Sequence, residues 1–184
     1  MPAEKLILFA VVSGFMLLVS RESLRNPTLH GFYRFFAWEL ILVLILYNME
    51  YWFLNPGSLL QIISWHLLFI SLFLVIHGIT LLRILGKPDA SRNEVALIRL
   101  EKTTRLVTAG AFHYIRHPLY SSLMFLAWGA YLKRPSWPAA GLASAACLFL
   151  VATSLAEEKE NLRYFGNVYL DYMKRTKRFI PFLF

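Results

Sequence analysis

Two short clusters bring charge to the edge of apolar sequence. Arg116-His117-Pro118 precedes an uncharged run that ends at Leu132, and Glu157-Glu158 follows one that ends at Ala156. Proline suits the first turn of a helix, where the N–H it lacks has no partner anyway, so a helix is expected to start near His117. A helix amino terminus offers free N–H groups and a positive dipole end, and an arginine beside it adds a fork of donors. That combination suits a carboxylate or a phosphate. Adjacent carboxylates at a membrane boundary need a cationic or hydroxyl-rich partner, because leaving them unpaired there is costly. If antiparallel helices bring the two clusters together, one pocket joins an anion site to a cation site. A ligand carrying both charges, such as an amino acid, would satisfy it. Taken singly, each cluster has a plainer meaning: Arg116 and His117 as headgroup-layer residues, and the glutamates as the stop of a span.

The elements that would position these residues are apolar. The chain of 184 residues is 58% hydrophobic and 16% aromatic, with a mean hydropathy of +0.52, which excludes an ordinary soluble domain. Uncharged runs cover 6–20, 59–82, 118–132 and 135–156, and 35–54 is interrupted only by Glu39 and Glu50. About 20 apolar residues are needed to cross the hydrocarbon layer, so an all-α integral membrane protein with about five spans is expected. Their approximate bounds are 5–20, 35–54, 59–82, 118–132 and 135–156, in a single membrane domain over 1–184; the first and fourth are short. The run 6–20 lacks a small-x-small cleavage pattern near Ser20, so it is read as a span and not as a removed signal.

Charge gives an orientation. Of the 19 Lys and Arg residues, all but Lys5, Lys133 and Arg134 fall in 21–34, 83–117 and 157–184, which five spans place on one face. The positive-inside rule then sets the amino terminus outside and the carboxyl terminus in the cytoplasm. The net charge of +8 flanks spans and accompanies no nucleic-acid motif, so anionic lipid headgroups are the expected counter-ions. The single cysteine, Cys147, rules out an intramolecular disulfide and a cysteine metal cluster, and no metal is expected.

Asn-Pro-Gly-Ser at 55–58 predicts a tight turn and an antiparallel hairpin of spans two and three, and 133–138 predicts another of spans four and five. Trp52, Trp65 and Trp137 stand near these turns, where interfacial anchors are expected. Glu39 and Glu50 share one face of span two and His66 and His77 one face of span three, so Glu50–His66 and Glu39–His77 pairs are expected across the first hairpin. The segment 83–117 is loop-like at its start and alternates basic and apolar residues later, as a segment at the cytoplasmic interface would. After the last span, Leu162, Phe165, Tyr169 and Tyr172 recur at helical spacing and predict an amphipathic helix folded back on the membrane face.

"LVTAGAFHYIRHPLYSS" (106–122), a hydrophobic hairpin, and then "EEKENLRYFGNVYLDYMKRTKRFIP" (157–181) together resemble the isoprenylcysteine carboxyl methyltransferase family and, more loosely, its phospholipid N-methyltransferase relatives. The pattern covers roughly the last 80 residues; the first 100 correspond only as spans. The resemblance implies a membrane methyltransferase that uses S-adenosylmethionine, with a cofactor-binding part at 103–184 beneath the cytoplasmic segments and a lipophilic acceptor reached from the bilayer. It assigns Val107, Gly110, His117, Pro118, Tyr120, Glu157 and Glu158 to the cofactor, and Arg116 and Arg175 to orienting the methyl acceptor. Where the family usually has Pro and Tyr this chain has Ala111 and Phe112, so Phe112 is expected to pack or stack and not to hydrogen-bond.

Methyl transfer from a sulfonium is an in-line displacement in which charge disappears, so positioning and desolvation outweigh acid–base work. A carboxylate acceptor needs only an arginine to aim it, whereas an amine must first lose a proton, for instance to His117 or a glutamate. Aminophospholipid N-methylation therefore stays open beside carboxyl O-methylation. Two readings from other classes also stand: an NADPH-dependent membrane reductase, and a non-enzymatic transporter or scaffold in which Glu39 or His77 would matter more than Arg116, His117 or Glu158. No glycine-rich loop follows an apolar strand, so the soluble methyltransferase plan is excluded.

Overall fold

The computed structural model describes residues 2–87, 89 and 102–183. Among the described residues the α-helices are α1 Ala3–Ser20, α2 His30–Asn48, α3 Leu59–Ile84, α4 Pro118–Leu132, α5 Trp137–Phe165 and α6 Asn167–Arg175. The all-helical membrane architecture stands. Four of the helices, α1, α2, α3 and α5, are long and apolar enough to cross a bilayer. With its 15 residues α4 is about 22 Å long at 1.5 Å per residue, shorter than the hydrocarbon layer.

Local chemistry sets the helix starts. Pro118 occupies the first turn of α4. Ser58 caps α3 by accepting from the Gln61 N–H, and Ser136 caps α5 by accepting from the Ala139 N–H. Asn55 and Ser58 close the expected turn, with the Ser58 N–H donating to the Asn55 carbonyl at 3.0 Å.

The lateral arrangement keeps α4 against α5 but departs from the first of the two sequential hairpins. α2 packs along α5 and α3 along α4, with α4 also touching α2 and α5, so α2 and α3 are not packing partners. The reason is a seam of small residues: Ala139, Ala143 and Ala146 on α5 are fully buried and let Ala37, Ile41 and Leu44 of α2 approach closely. On the other side the Ser64 hydroxyl donates to the Gly129 carbonyl at 2.7 Å, and a methyl group on Gly129 would lie 2.9 Å from Leu68. α1 leans on α2 and turns Leu6, Ile7, Val11, Phe15 and Leu18 outward, as a lipid-facing helix does.

The Glu–His pairs expected across the first hairpin do not form. Glu39 accepts from Ser13 of α1 at 2.8 Å, and Glu50 pairs with Lys5 at 2.9 Å. His66 turns back to the Ile62 carbonyl of its own helix, and His77 accepts the Ala111 N–H at 3.2 Å. α1 supplies partners to both glutamates, and the two histidines take backbone partners instead. Two of the three tryptophans also have another role: Trp52 and Trp65 enclose the buried Lys133 ammonium, which lies 3.7 Å from the Trp65 ring centre and donates to Gln61 at 3.0 Å. Trp137 is almost fully exposed.

At the end where α4 begins, α5 continues past the glutamates to Phe165, so Glu157 and Glu158 lie within a helix and do not terminate it. Gly166, at φ +59°, then breaks the expected amphipathic helix in two and starts α6. Of the segment 83–117, residues 88 and 90–101 lie outside the described residues. Its flanks close on each other: the Gly86 carbonyl accepts the Thr104 and Arg105 N–H groups at 3.0 and 3.1 Å.

Candidate active site

The start of α4, the last two turns of α5, α6 and the segment after it meet around one carboxylate. Residues 176–179 run alongside 114–117 in parallel: Lys177 N–H donates to the Tyr114 carbonyl, Arg116 N–H to the Lys177 carbonyl at 2.8 Å, and His117 N–H to the Arg178 carbonyl at 3.1 Å. The backbone donors that preceded α4 in the anion-site reading are thus used by the chain's own carboxyl-terminal segment.

Glu158, 4% exposed, receives three cationic or ionisable side chains. Arg116 Nε donates to its Oε1 at 2.8 Å, and His117 Nε2 lies 3.3 Å from the same atom. Arg178 donates twice, Nε to Oε1 at 3.1 Å and Nη2 to Oε2 at 2.7 Å. The Glu158 carboxylate in turn raises the Arg178 guanidinium above its already high ordinary value. Arg116 Nη1 continues to the carbonyls of Met173 and Thr176 at the end of α6, where a cation complements the helix dipole. The two clusters seen in the sequence do come together, and they do so by pairing Arg116 directly with Glu158.

A pocket opens beside this network. Val107, Phe112, Arg116, His117, Pro118, Tyr120 and Glu157 line it with Asn161, Phe165, Tyr169 and Tyr172. Glu157 is half-buried, with its carboxylate 3.7 Å from His117 Nδ1. The His117 ring stacks on Tyr120 at 5.4 Å between centres, with Phe179 at 6.0 Å on it as well. The Tyr172 hydroxyl donates to the Phe112 carbonyl, and Tyr169 bonds to Asn161. Burial raises both phenols, and the negative charges of Glu157 and Glu158 raise Tyr169 further, so both remain protonated donors. The wall is therefore aromatic, with one carboxylate and one amide set into it.

Of the residues singled out in the sequence, Val107, Phe112, Arg116, His117, Pro118, Tyr120 and Glu157 border the pocket, and Glu158 stands directly behind it. Gly110 is exposed and lies outside the lining. Its φ of +58° and its contact with His77 give it a structural reason, since a methyl group there would sit 2.4 Å from His77 Nε2. Arg175 is placed on the exposed side of α6, with Nε donating to the Asp171 carbonyl at 3.2 Å. The arginine that reaches the site from this end of the chain is Arg178. Sequence reasoning passed over it because 174–178 holds four basic residues, and only the end of α6 at Arg175 decides which of them turns inward. No cluster suited to a metal ion occurs among the described residues.

Comparison with known proteins finds one curated relative. The chain is 31% identical over 117 residues to a protein-S-isoprenylcysteine O-methyltransferase of Rattus norvegicus, a stretch covering 61% of this chain and 40% of that protein. It thus spans well under half the length of the relative it matches. No family model matches the chain. No solved structure matches it. The similarity supports the resemblance to the isoprenylcysteine carboxyl methyltransferase family.

Proposed function

We propose that the chain is a membrane-embedded methyltransferase that uses S-adenosylmethionine to methylate the carboxylate of a lipophilic acceptor, in the manner of isoprenylcysteine carboxyl O-methylation. The observation that carries this reading is the pocket at the α4–α5 end: an aromatic wall with the Glu157 carboxylate in it and an arginine at its margin, in a bundle whose outer faces are apolar. The donor set fits the cofactor. Glu157 complements its ammonium, Asn161 and the tyrosine hydroxyls its polar groups, and Phe112, Phe165, Tyr169, Tyr172 and the His117–Tyr120 stack its flat ring and sulfonium.

When bound, the cofactor supplies a methyl group on a sulfonium centre. The chain's own residues bind, orient and exclude water. Glu158 is neutralised by Arg116 and Arg178, so His117, held by the same carboxylate, acts as a fixed wall and not as a mobile base. Arg116 lines the pocket and its Nη2 has no protein partner among the described residues, so it can aim an acceptor carboxylate. Carboxylate methylation requires no proton removal, which suits a site whose ionisable groups are engaged with one another. Arg175, exposed, is assigned no step. The basic residues that crowd this end of the bundle assign it to the cytoplasmic face.

Titration calorimetry of S-adenosylmethionine against the purified full chain in detergent tests the cofactor assignment. Saturable binding is expected for the wild type, with at least about tenfold weaker binding for Glu157→Gln, the order expected for a lost charge-assisted contact. No binding by folded wild-type protein would overturn the reading.

A further inference from the structure

The geometry points to Arg178 as a positioning residue for the methyl acceptor: by occupying Glu158, it keeps one nitrogen of Arg116 available for the acceptor's carboxylate. This rests on the methyltransferase reading above and adds a residue to it. The guanidinium of an arginine meets a carboxylate most favourably side-on, with Nε and Nη2 donating to its two oxygens. Arg116 has made only half of that arrangement. Its Nε is on Glu158 Oε1 at 2.8 Å, but Oε2 is taken by Arg178 Nη2 at 2.7 Å. Arg116 Nη1 is held by the Met173 and Thr176 carbonyls, which fixes the plane of the group. Nη2 is then the one nitrogen of this pocket-lining arginine with no partner among the described residues, on a group whose other two nitrogens are held by atoms that are not substrate.

Without the Arg178 guanidinium, Glu158 Oε2 would be a buried carboxylate oxygen beside an arginine that already touches its twin. Closing the side-on pair would then be the lowest-energy response, and it would occupy Nη2. Arg178 owes its own position to the segment 176–179, which is hydrogen-bonded beside 114–117, and to Phe179, 3% exposed, which packs against His117. The acceptor's charge reader is therefore complete only when this segment is docked.

The test compares binding of S-farnesylcysteine with its carboxamide analogue, in wild type and Arg178→Lys, with S-adenosylhomocysteine bound so that no methyl group can be transferred during the measurement. Lysine keeps the charge but cannot make the forked contact. Wild type is expected to favour the carboxylate, and Arg178→Lys to lose about tenfold of that preference, while its affinity for S-adenosylmethionine changes by less than about twofold. General damage would weaken the carboxylate and the carboxamide alike and leave their ratio as in wild type; that outcome overturns the inference while sparing the methyltransferase reading. A wild type that binds neither compound, or does not distinguish them, overturns both.

Discussion

Three side chains converge on the Glu158 carboxylate, and two of them are arginines, Arg116 nearly buried and Arg178 partly exposed. Removing one member of such a cluster leaves buried charge uncompensated, so Glu158→Gln is expected to cost about 3 kcal/mol of stability, the lower end for a broken buried pair because Arg178 keeps some access to water. Thermal unfolding in detergent measures this, and an unchanged midpoint would mean the network is not stabilising. Gly110 makes a separate prediction. A side chain there meets both a left-handed backbone and the His77 ring, so Gly110→Ala is expected to destabilise by about 2 kcal/mol. Adding His77→Ala should recover the steric share only, since φ +58° remains, and a full recovery in unfolding temperature would show that the backbone is not strained. Much at this scale was legible beforehand. His117-Pro118 announces a helix start and the glutamate pair a carboxylate cluster in need of cations by residue type alone, whereas that α5 runs on to Phe165 was not announced, and the choice of Arg178 over Arg175 depends on where α6 stops.

At the scale of elements, the docking of α6 decides whether the pocket has a floor. Tyr169 and Tyr172 are its buried residues, and the Tyr172 hydroxyl ties it to the loop at Phe112. Tyr172→Phe is expected to cost about 1 kcal/mol, the worth of one buried hydrogen bond, and to speed hydrogen exchange in 167–175 selectively. Uniform exchange across the bundle would contradict this. The pH dependence has a definite sign. Because folding raises both phenols above the unfolded value of 10.0, their contribution is full below about pH 10 and is lost as pH rises past it. Tyr169→Phe should blunt that alkaline loss, as followed by unfolding midpoints between pH 8 and 11. Element identity was readable from uncharged runs, and the α4 start from His117-Pro118. The break at Gly166 was not, because Leu162, Phe165, Tyr169 and Tyr172 keep helical spacing across it.

For the whole molecule, the order of helices along the chain told direction but not neighbourhood. Consecutive antiparallel spans can pack side by side or be separated by a third, and hydropathy is the same in both cases. What separates α2 from α3 is the complementarity of Ala139, Ala143 and Ala146 with α2, together with Gly129 and Gly78, which admit Leu68 and Leu119 between α3 and α4. This arrangement puts the α4 start and the α5 end side by side, which is what the site requires. The direct test of its function is to incubate the purified full chain with S-adenosylmethionine labelled in the methyl group and with S-farnesylcysteine, and then treat the extracted product with alkali. Label released as volatile methanol, and lost with Arg116→Ala, is the expected result, because a carboxyl methyl ester hydrolyses in base. Label that stays on the lipid after alkali, or no incorporation by folded protein, would contradict carboxyl methylation.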